Sequence, residues 1–220
     1  MKAKFRNFLR QDKGPEMEKS LRVVNAKESE SGETEIWIYG DLVDSYWFLD
    51  PHNPIEGYIT VEVLKDALEQ ANKEPVTLRI HSPGGDVMVA SAMRSLVMTY
   101  PARVTARIDG LCASAATMLA TAGDRVVMQD SAFFMIHDPW TFAMGSAEEL
   151  KTVIQALKEI KNGIVQSYQS RTGLEASVLE KMMSDETWMS AEKALELKFI
   201  DEVISKPSKA REDMARATER

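Results

Sequence analysis

The sequence predicts an α/β protein built on a mostly parallel sheet. Two observations carry this. Short apolar runs of strand character alternate along the chain with segments whose apolar residues recur at helical spacing. The junctions between them hold glycine, proline, asparagine or aspartate, the residues that break regular structure. A strand–helix–strand order of this kind joins parallel neighbours by right-handed crossovers.

The elements follow in order. Residues 1–33 show no sustained period, end in the polar run Glu28–Glu33, and are read as an N-terminal extension, an arm or a pro-segment. Thr34–Tyr39 (TEIWIY) alternates apolar and polar residues and stops at Gly40-Asp41, so it is a strand and turn. Thr60–Ala71 sets Val61, Leu64, Leu68 and Ala71 on one helical stripe. Val76–Ile80 is a short strand. Val87–Met98 is a helix with Val87, Ala90, Met93 and Val97 on one side. Arg103–Ile108 is a strand, and Ser114–Thr121 is a helix of small residues stopped by Gly123. Arg125–Met128 and Ala132–Ile136 are strands. Ser146 and Glu149 form a capping box that opens a long helix, which runs to about Arg171 and ends at Thr172-Gly173. Helices at Glu175–Met183 and Ala191–Leu197 and a strand at Ile200–Ile204 complete a domain over 34–205. Residues 206–220 are a charged tail.

Composition narrows the function classes. The 220 residues are 44% apolar and 28% charged, a globular mixture with enough chain to bury a core. The single cysteine, Cys112, excludes an intrachain disulfide framework and a multi-cysteine metal site, and it fits a reducing compartment. No apolar run reaches the roughly 20 residues of a spanning helix. The basic start is not followed by the apolar stretch of a secretory signal, so a cytoplasmic location is expected. The net charge of −7 combines an acidic body with two mildly basic ends. No dense basic run is interleaved with aromatics, so neither a nucleic acid nor a membrane is an expected partner.

Three segments look unlike ordinary core. His81–Asp86 (HSPGGD) lies between a strand and a helix, where two glycines let the backbone turn sharply and aim N–H groups outward, as an oxyanion cradle requires. A plain structural turn would look the same, and the Walker pattern is absent. Gly110–Thr117 (GLCASAAT) is a second strand-to-helix junction. Ser114 there could be a simple N-cap. However, the small residues Cys112 and Ala116 flank it at two positions, as a nucleophile on a tight turn needs. Phe133–Pro139 (FFMIHDP) is a strand that ends in His137, which alone would read as a surface histidine. His52 sits in a turn and His81 beside the cradle, and neither is given a role.

Ser82–Gly85, Gly110 with Ala113-Ser114, Met135–His137, and Trp188–Ala191 with Ala194 and Asp201 occur in the order and approximate spacing of one family. Together they resemble the Clp protease proteolytic subunit, ClpP, over about residues 34–205. The Gly85-Asp86-Val87 step and Glu186–Met189 look most like its phage and prophage branch, the head maturation proteases.

The resemblance implies a serine endopeptidase of the ClpP or crotonase-like fold, with no cofactor and no metal. Ser114 is implied as nucleophile, His137 as general base, and Glu186 as the acid, at a position where longer-known members carry aspartate. Asp185 is adjacent, and a one-residue slip would exchange the two. The oxyanion hole is implied at the N–H groups of Gly85 and Ala115. The long helix corresponds to the family's protruding handle. Partners implied are protein or peptide substrates, further copies of the chain in heptameric or stacked rings, and either an ATP-dependent unfoldase or phage capsid proteins. Two other classes stay open: an acyl-CoA enzyme of the same fold, which also holds an oxyanion with two N–H groups, and a non-catalytic ring or capsid component.

Overall fold

The computed structural model describes residues 21–24, 33–44 and 58–205. Among these described residues, ten strands run in chain order: β1 (Leu21–Val24), β2 (Thr34–Tyr39), β3 (Asp41–Leu42), β4 (Tyr58–Ile59), β5 (Val76–Ser82), β6 (Val104–Ala113), β7 (Arg125–Gln129), β8 (Phe133–Ile136), β9 (Thr187–Ser190) and β10 (Glu202–Ile204). Six helices lie between them: α1 (Val61–Gln70), α2 (Val87–Thr99), α3 (Ala116–Ala120), α4 (Ala147–Thr172), α5 (Ala176–Ser184) and α6 (Ala191–Glu196).

The main sheet has the order β1-β2-β5-β6-β7-β10, parallel throughout except for the antiparallel edge strand β1. An α/β fold with a largely parallel sheet and flanking helices is thus what forms. Leu21–Val24 lies inside the stretch read as an extension, and its backbone pairs with β2.

The pleat sorts the side chains. Ile36, Ile38, Leu78, Ile80, Ala106, Ile108, Val126 and Met128 are fully buried in one core with the inward stripes of α1 and α2. The other face of β2, β5 and β6 carries polar groups that satisfy one another. Arg79 grips Asp109 through two nitrogens at 2.6 and 3.0 Å, reaches Glu35 at 3.3 Å, and lies 4.6 Å over the Trp37 ring. Tyr39 Oη donates to Asp109 at 2.8 Å. Helix ends are capped by side chains: Thr60 for α1, Asp86 for α2, Ser146 with Glu149 for α4, and Ser190 for α6. Each such cap is worth about 1 kcal/mol. Gly173 ends α4 at φ 71°, a left-handed turn that favours glycine.

Strand β6 runs five residues past the predicted end at Ile108. Its first half pairs with β7 and its last three residues pair with β8. A new partner gives the continued backbone a ladder, and the strand therefore does not stop at Gly110. Strand β8 pairs in turn with β9, antiparallel. Strand β9 has only four residues and is not evident in the sequence, and neither are the two-residue strands β3 and β4. The helix expected from Ser114 begins two residues later, at Ala116. His52, Trp47 and the tail 206–220 lie outside the described residues.

The two halves of α4 differ. Residues 147–163 include no buried position, whereas Ile164, Val165, Ser167, Tyr168 and Thr172 are buried. The Tyr168 ring packs on Phe199, which packs on Phe134 of β8. No helix of the described residues is long and apolar enough to cross a membrane.

Candidate active site

The carboxyl ends of β5, β6 and β8 converge on one point. Ser82 of β5 pairs with Cys112 of β6, and Ala113 pairs with Met135 of β8. The residue directly after β6 is Ser114, whose N–H donates to Met135 O at 2.8 Å. Ser114 sits at φ 55°, where a non-glycine residue costs about 1 kcal/mol or more. The turn points its side chain away from the helix that follows. The α3 cap residue is Ala115, with no side-chain cap bond. Ser114 is therefore not the N-cap that it resembled.

Instead, Ser114 Oγ lies 2.7 Å from His137 Nε2. His137 directly follows β8, so the pairing of β6 with β8 brings together two residues 23 apart in sequence. Both side chains are half-buried. With Nε2 unprotonated, the serine hydroxyl donates and the imidazole can take its proton.

The glycine turn abuts the serine turn. Gly84 lies at φ 96°, and a Cβ there would stand 2.6 Å from Ala113 O, 2.8 Å from Ala115 N and 2.8 Å from Ser114 Cβ. Gly85 lies at φ 144°, and a Cβ there would stand 2.0 Å from Leu42 O. The close approach follows from the bridge to β3: Leu42 N donates to Gly84 O and Asp86 N donates to Leu42 O, both at 2.8 Å. In this pattern the N–H of the middle residue, Gly85, turns away from Leu42. Among the described residues no hydrogen bond occupies the N–H of Gly85 or of Ala115. Ser82 Oγ accepts from Gly84 N at 3.1 Å and braces the turn from a fully buried position.

The two candidate acids differ in setting. Asp185 ends α5 and pairs at 2.6 Å with Lys181, with both side chains exposed. Glu186 sits at φ 53°, and its N–H donates to Met183 O. The β8–β9 ladder ends at Ile136 opposite Thr187. Continued one step, that register would set His137 opposite Glu186.

Neighbouring groups that the sequence did not single out also meet here. Asp138 N donates to Met183 O at 3.0 Å, and the Asp138 carboxylate takes Lys161 at 2.8 Å and Ser184 Oγ at 3.0 Å. Thr117 Oγ1 donates to Ser114 O at 2.5 Å and meets Tyr168 Oη at 2.6 Å. A polar residue directly after a strand-end histidine, and a threonine in the first turn after the serine, were the signals available for these contacts.

Other residues belong elsewhere. His81 faces the polar side of the sheet against Tyr39, with Nδ1 toward Gly110, and burial lowers its pKa. Cys112 is fully buried, and burial pushes its thiol well up. Among the described residues no three His, Cys, Asp or Glu side chains are grouped to hold a metal ion.

Known proteins resemble this chain in sequence and in fold. The Clp protease family matches residues 53–207. ATP-dependent Clp protease proteolytic subunit 1 of Protochlamydia amoebophila (strain UWE25) is 31% identical over 137 residues, which are 60% of this chain and 66% of the relative. Subunit 2 of Thermobifida fusca (strain YX) is 30% identical over 154 residues, 69% of this chain and 75% of the relative. The structure of a point mutant of ClpP1 from Listeria monocytogenes superposes with a TM-score of 0.65 at 18% identity, covering 78% of this chain and 91% of that one, which shows the shared fold. The chain belongs to the Clp protease family, and with that membership it is a peptide hydrolase of the serine type.

Proposed function

We propose that the chain is an endopeptidase in which Ser114 attacks the scissile carbonyl, His137 takes the serine proton and returns it to the leaving amine, and Glu186 orients the histidine. The observation that carries this reading is the 2.7 Å contact between Ser114 Oγ and His137 Nε2 on a strained turn. Attack on the carbonyl gives a tetrahedral oxyanion, which the N–H groups of Gly85 and Ala115 receive. Collapse of this intermediate expels the amine and leaves an acyl-serine. Water, deprotonated by the same histidine, then releases the acid and restores the hydroxyl. The carboxylate of Glu186 keeps the Nδ1 proton in place and stabilises the imidazolium that forms. The β8–β9 register, which continued one step would set Glu186 opposite His137, supports Glu186 over Asp185, whose carboxylate pairs with Lys181 in solvent.

The wider reading is a ClpP or crotonase-like domain over 34–205, flanked by an arm and a tail, acting on protein or peptide chains inside a heptameric ring or stacked rings. Phe142 and Met144, 90% and 101% exposed before the unburied half of α4, favour burial against further copies. A cytoplasmic setting, and substrates supplied by an unfoldase or by capsid assembly in a prophage, belong to the same proposal. They rest on the resemblance of the Gly85–Val87 and Glu186–Met189 segments. The Ser-His contact favours this reading over an acyl-CoA enzyme, which needs the cradle but not the nucleophile.

The test is intact-mass labelling with a fluorophosphonate. A single adduct on the assembled native chain, absent from Ser114→Ala, is the expected result. No adduct on a folded native oligomer would overturn it.

A further inference from the structure

Helix α4 touches, from one stripe, residues bonded or adjacent to each member of the Ser114–His137 pair. Lys161 and Tyr168 are seven residues apart, two turns and about 10.5 Å along the axis, so they project on the same side. On the histidine side, Lys161 Nζ meets the carboxylate of Asp138 at 2.8 Å and donates to Ser184 Oγ at 3.0 Å. Ser184 Oγ donates to the same carboxylate, and Asp138 N donates to Met183 O. These bonds tie the residue after His137 to α4 and to the end of α5, two residues before Glu186. On the serine side, the one proton of Thr117 Oγ1 goes to Ser114 O, so the Tyr168 hydroxyl donates to Thr117. Tyr168 is 2% exposed, and the chain of bonds from α4 to the serine turn is sealed from water. A shallow groove lined by Pro139, Ile154, Leu157 and Lys158 separates the histidine loop from α4 beside the Lys161–Asp138 pair. The two are thus held by a polar tie there rather than by continuous packing.

Resting on the assignment of Ser114 and His137 above, we infer that Lys161 and Tyr168 are positioning residues, which set the serine-to-histidine geometry from a single helix. Misplacing a reacting group by about 1 Å can cost on the order of 100-fold in rate.

The experiment measures the fluorophosphonate labelling rate against pH, with the unfolding midpoint, for the assembled wild type and four variants. Lys161→Met is expected to slow labelling by about 10-fold or more, and Lys161→Arg to return it to within about threefold of wild type. Tyr168→Phe is expected to slow labelling several-fold while the acid limb of the profile stays in place. The charged groups around His137 are Asp138 on its own segment, Lys161 and Lys158 on α4, and Glu186 before β9. Lys161→Met leaves Asp138 uncompensated and favours the imidazolium, so the acid limb moves to higher pH. Asp138→Asn leaves the lysine cation unopposed, so the limb moves to lower pH. Loss of fold alone would lower the midpoint without opposite movements of the limb. Unchanged rates in Lys161→Met and Tyr168→Phe, limbs that do not move oppositely, or no recovery with Lys161→Arg would overturn the inference while Ser114 still labels in the wild type. A folded wild type that takes no label overturns this inference and the proposed function together.

Discussion

Two strand-to-helix junctions stand side by side in this fold, and they solve opposite problems. The β5–α2 junction must let other backbone come close. Gly84 and Gly85 carry no side chain because Ala113, Ala115 and Leu42 occupy the space where one would be. The β6–α3 junction must hold one side chain out. Ser114 accepts a strained φ of 55°, and its hydroxyl points to His137 instead of capping α3. The first junction presents the Gly85 N–H, and the second presents the Ser114 hydroxyl with the Ala115 N–H behind it. The lesson is that a candidate catalytic turn is recognised by what it leaves unsatisfied: two N–H groups here, and a serine that gives its helix no cap.

The contrast can be broken from either side. The largest effect is expected on the serine side. Glu186→Gln removes the charge beside the histidine and should lower peptidase kcat on the order of 10³- to 10⁴-fold, with Asp185→Asn close to wild type. Equal losses in steady-state assays of the two would show that the wrong acid has been assigned. On the glycine side, Gly85→Ala drives a Cβ onto Leu42 O and should lower kcat on the order of 10²- to 10³-fold. A full rate in that variant would remove Gly85 from the oxyanion hole.

Smaller effects sharpen the comparison through stability. If the serine turn stores strain, Ser114→Gly should be more stable than Ser114→Ala by about 1 kcal/mol in urea unfolding, because only glycine accepts this φ freely. Equal midpoints would argue that the turn relaxes. The smallest effect lies on the polar face of the same strands. Burial, then the hydrogen bond to Asp109, raises the Tyr39 phenol to about 12. Its folded value exceeds the unfolded value of about 10, so its contribution is complete below pH 10 and declines as pH rises toward 12. Tyr39→Phe should therefore lose less stability than wild type over that window, measured by denaturant midpoints at each pH.

Much of this was legible in the chain itself. Alternation marked β2, helical spacing marked α1 and α2, and Ser146, Glu149 and Gly173 marked both ends of α4, because each signal is local to its element. The segments holding Gly85, Ser114 and His137 stood out from ordinary core, but each alone had an ordinary structural reading, and only the family resemblance of the motifs together implied roles for them. Other features were not. Strand β9 (TWMS) is too short to show a period and exists because β8 offers it an antiparallel edge. The last residues of β6 lie past the strand end predicted at Ile108, and they are strand because β8 pairs with them. Lys161 reads as one more charge on a polar helix, and only the fold lays Asp138 against it.

The sequence by itself determined the α/β order, the helix caps and the residue types that the chemistry needs, since propensity and spacing act over a few residues. Only the tertiary structure decided that Ser114 and His137 meet at 2.7 Å, that the direction of the Gly85 N–H is set by a bridge to Leu42, and that the β8–β9 ladder ends one residue short of His137 and of Glu186. Those relations join strands and turns far apart in the chain. Their distances are set by sheet register and core packing, which no local pattern encodes.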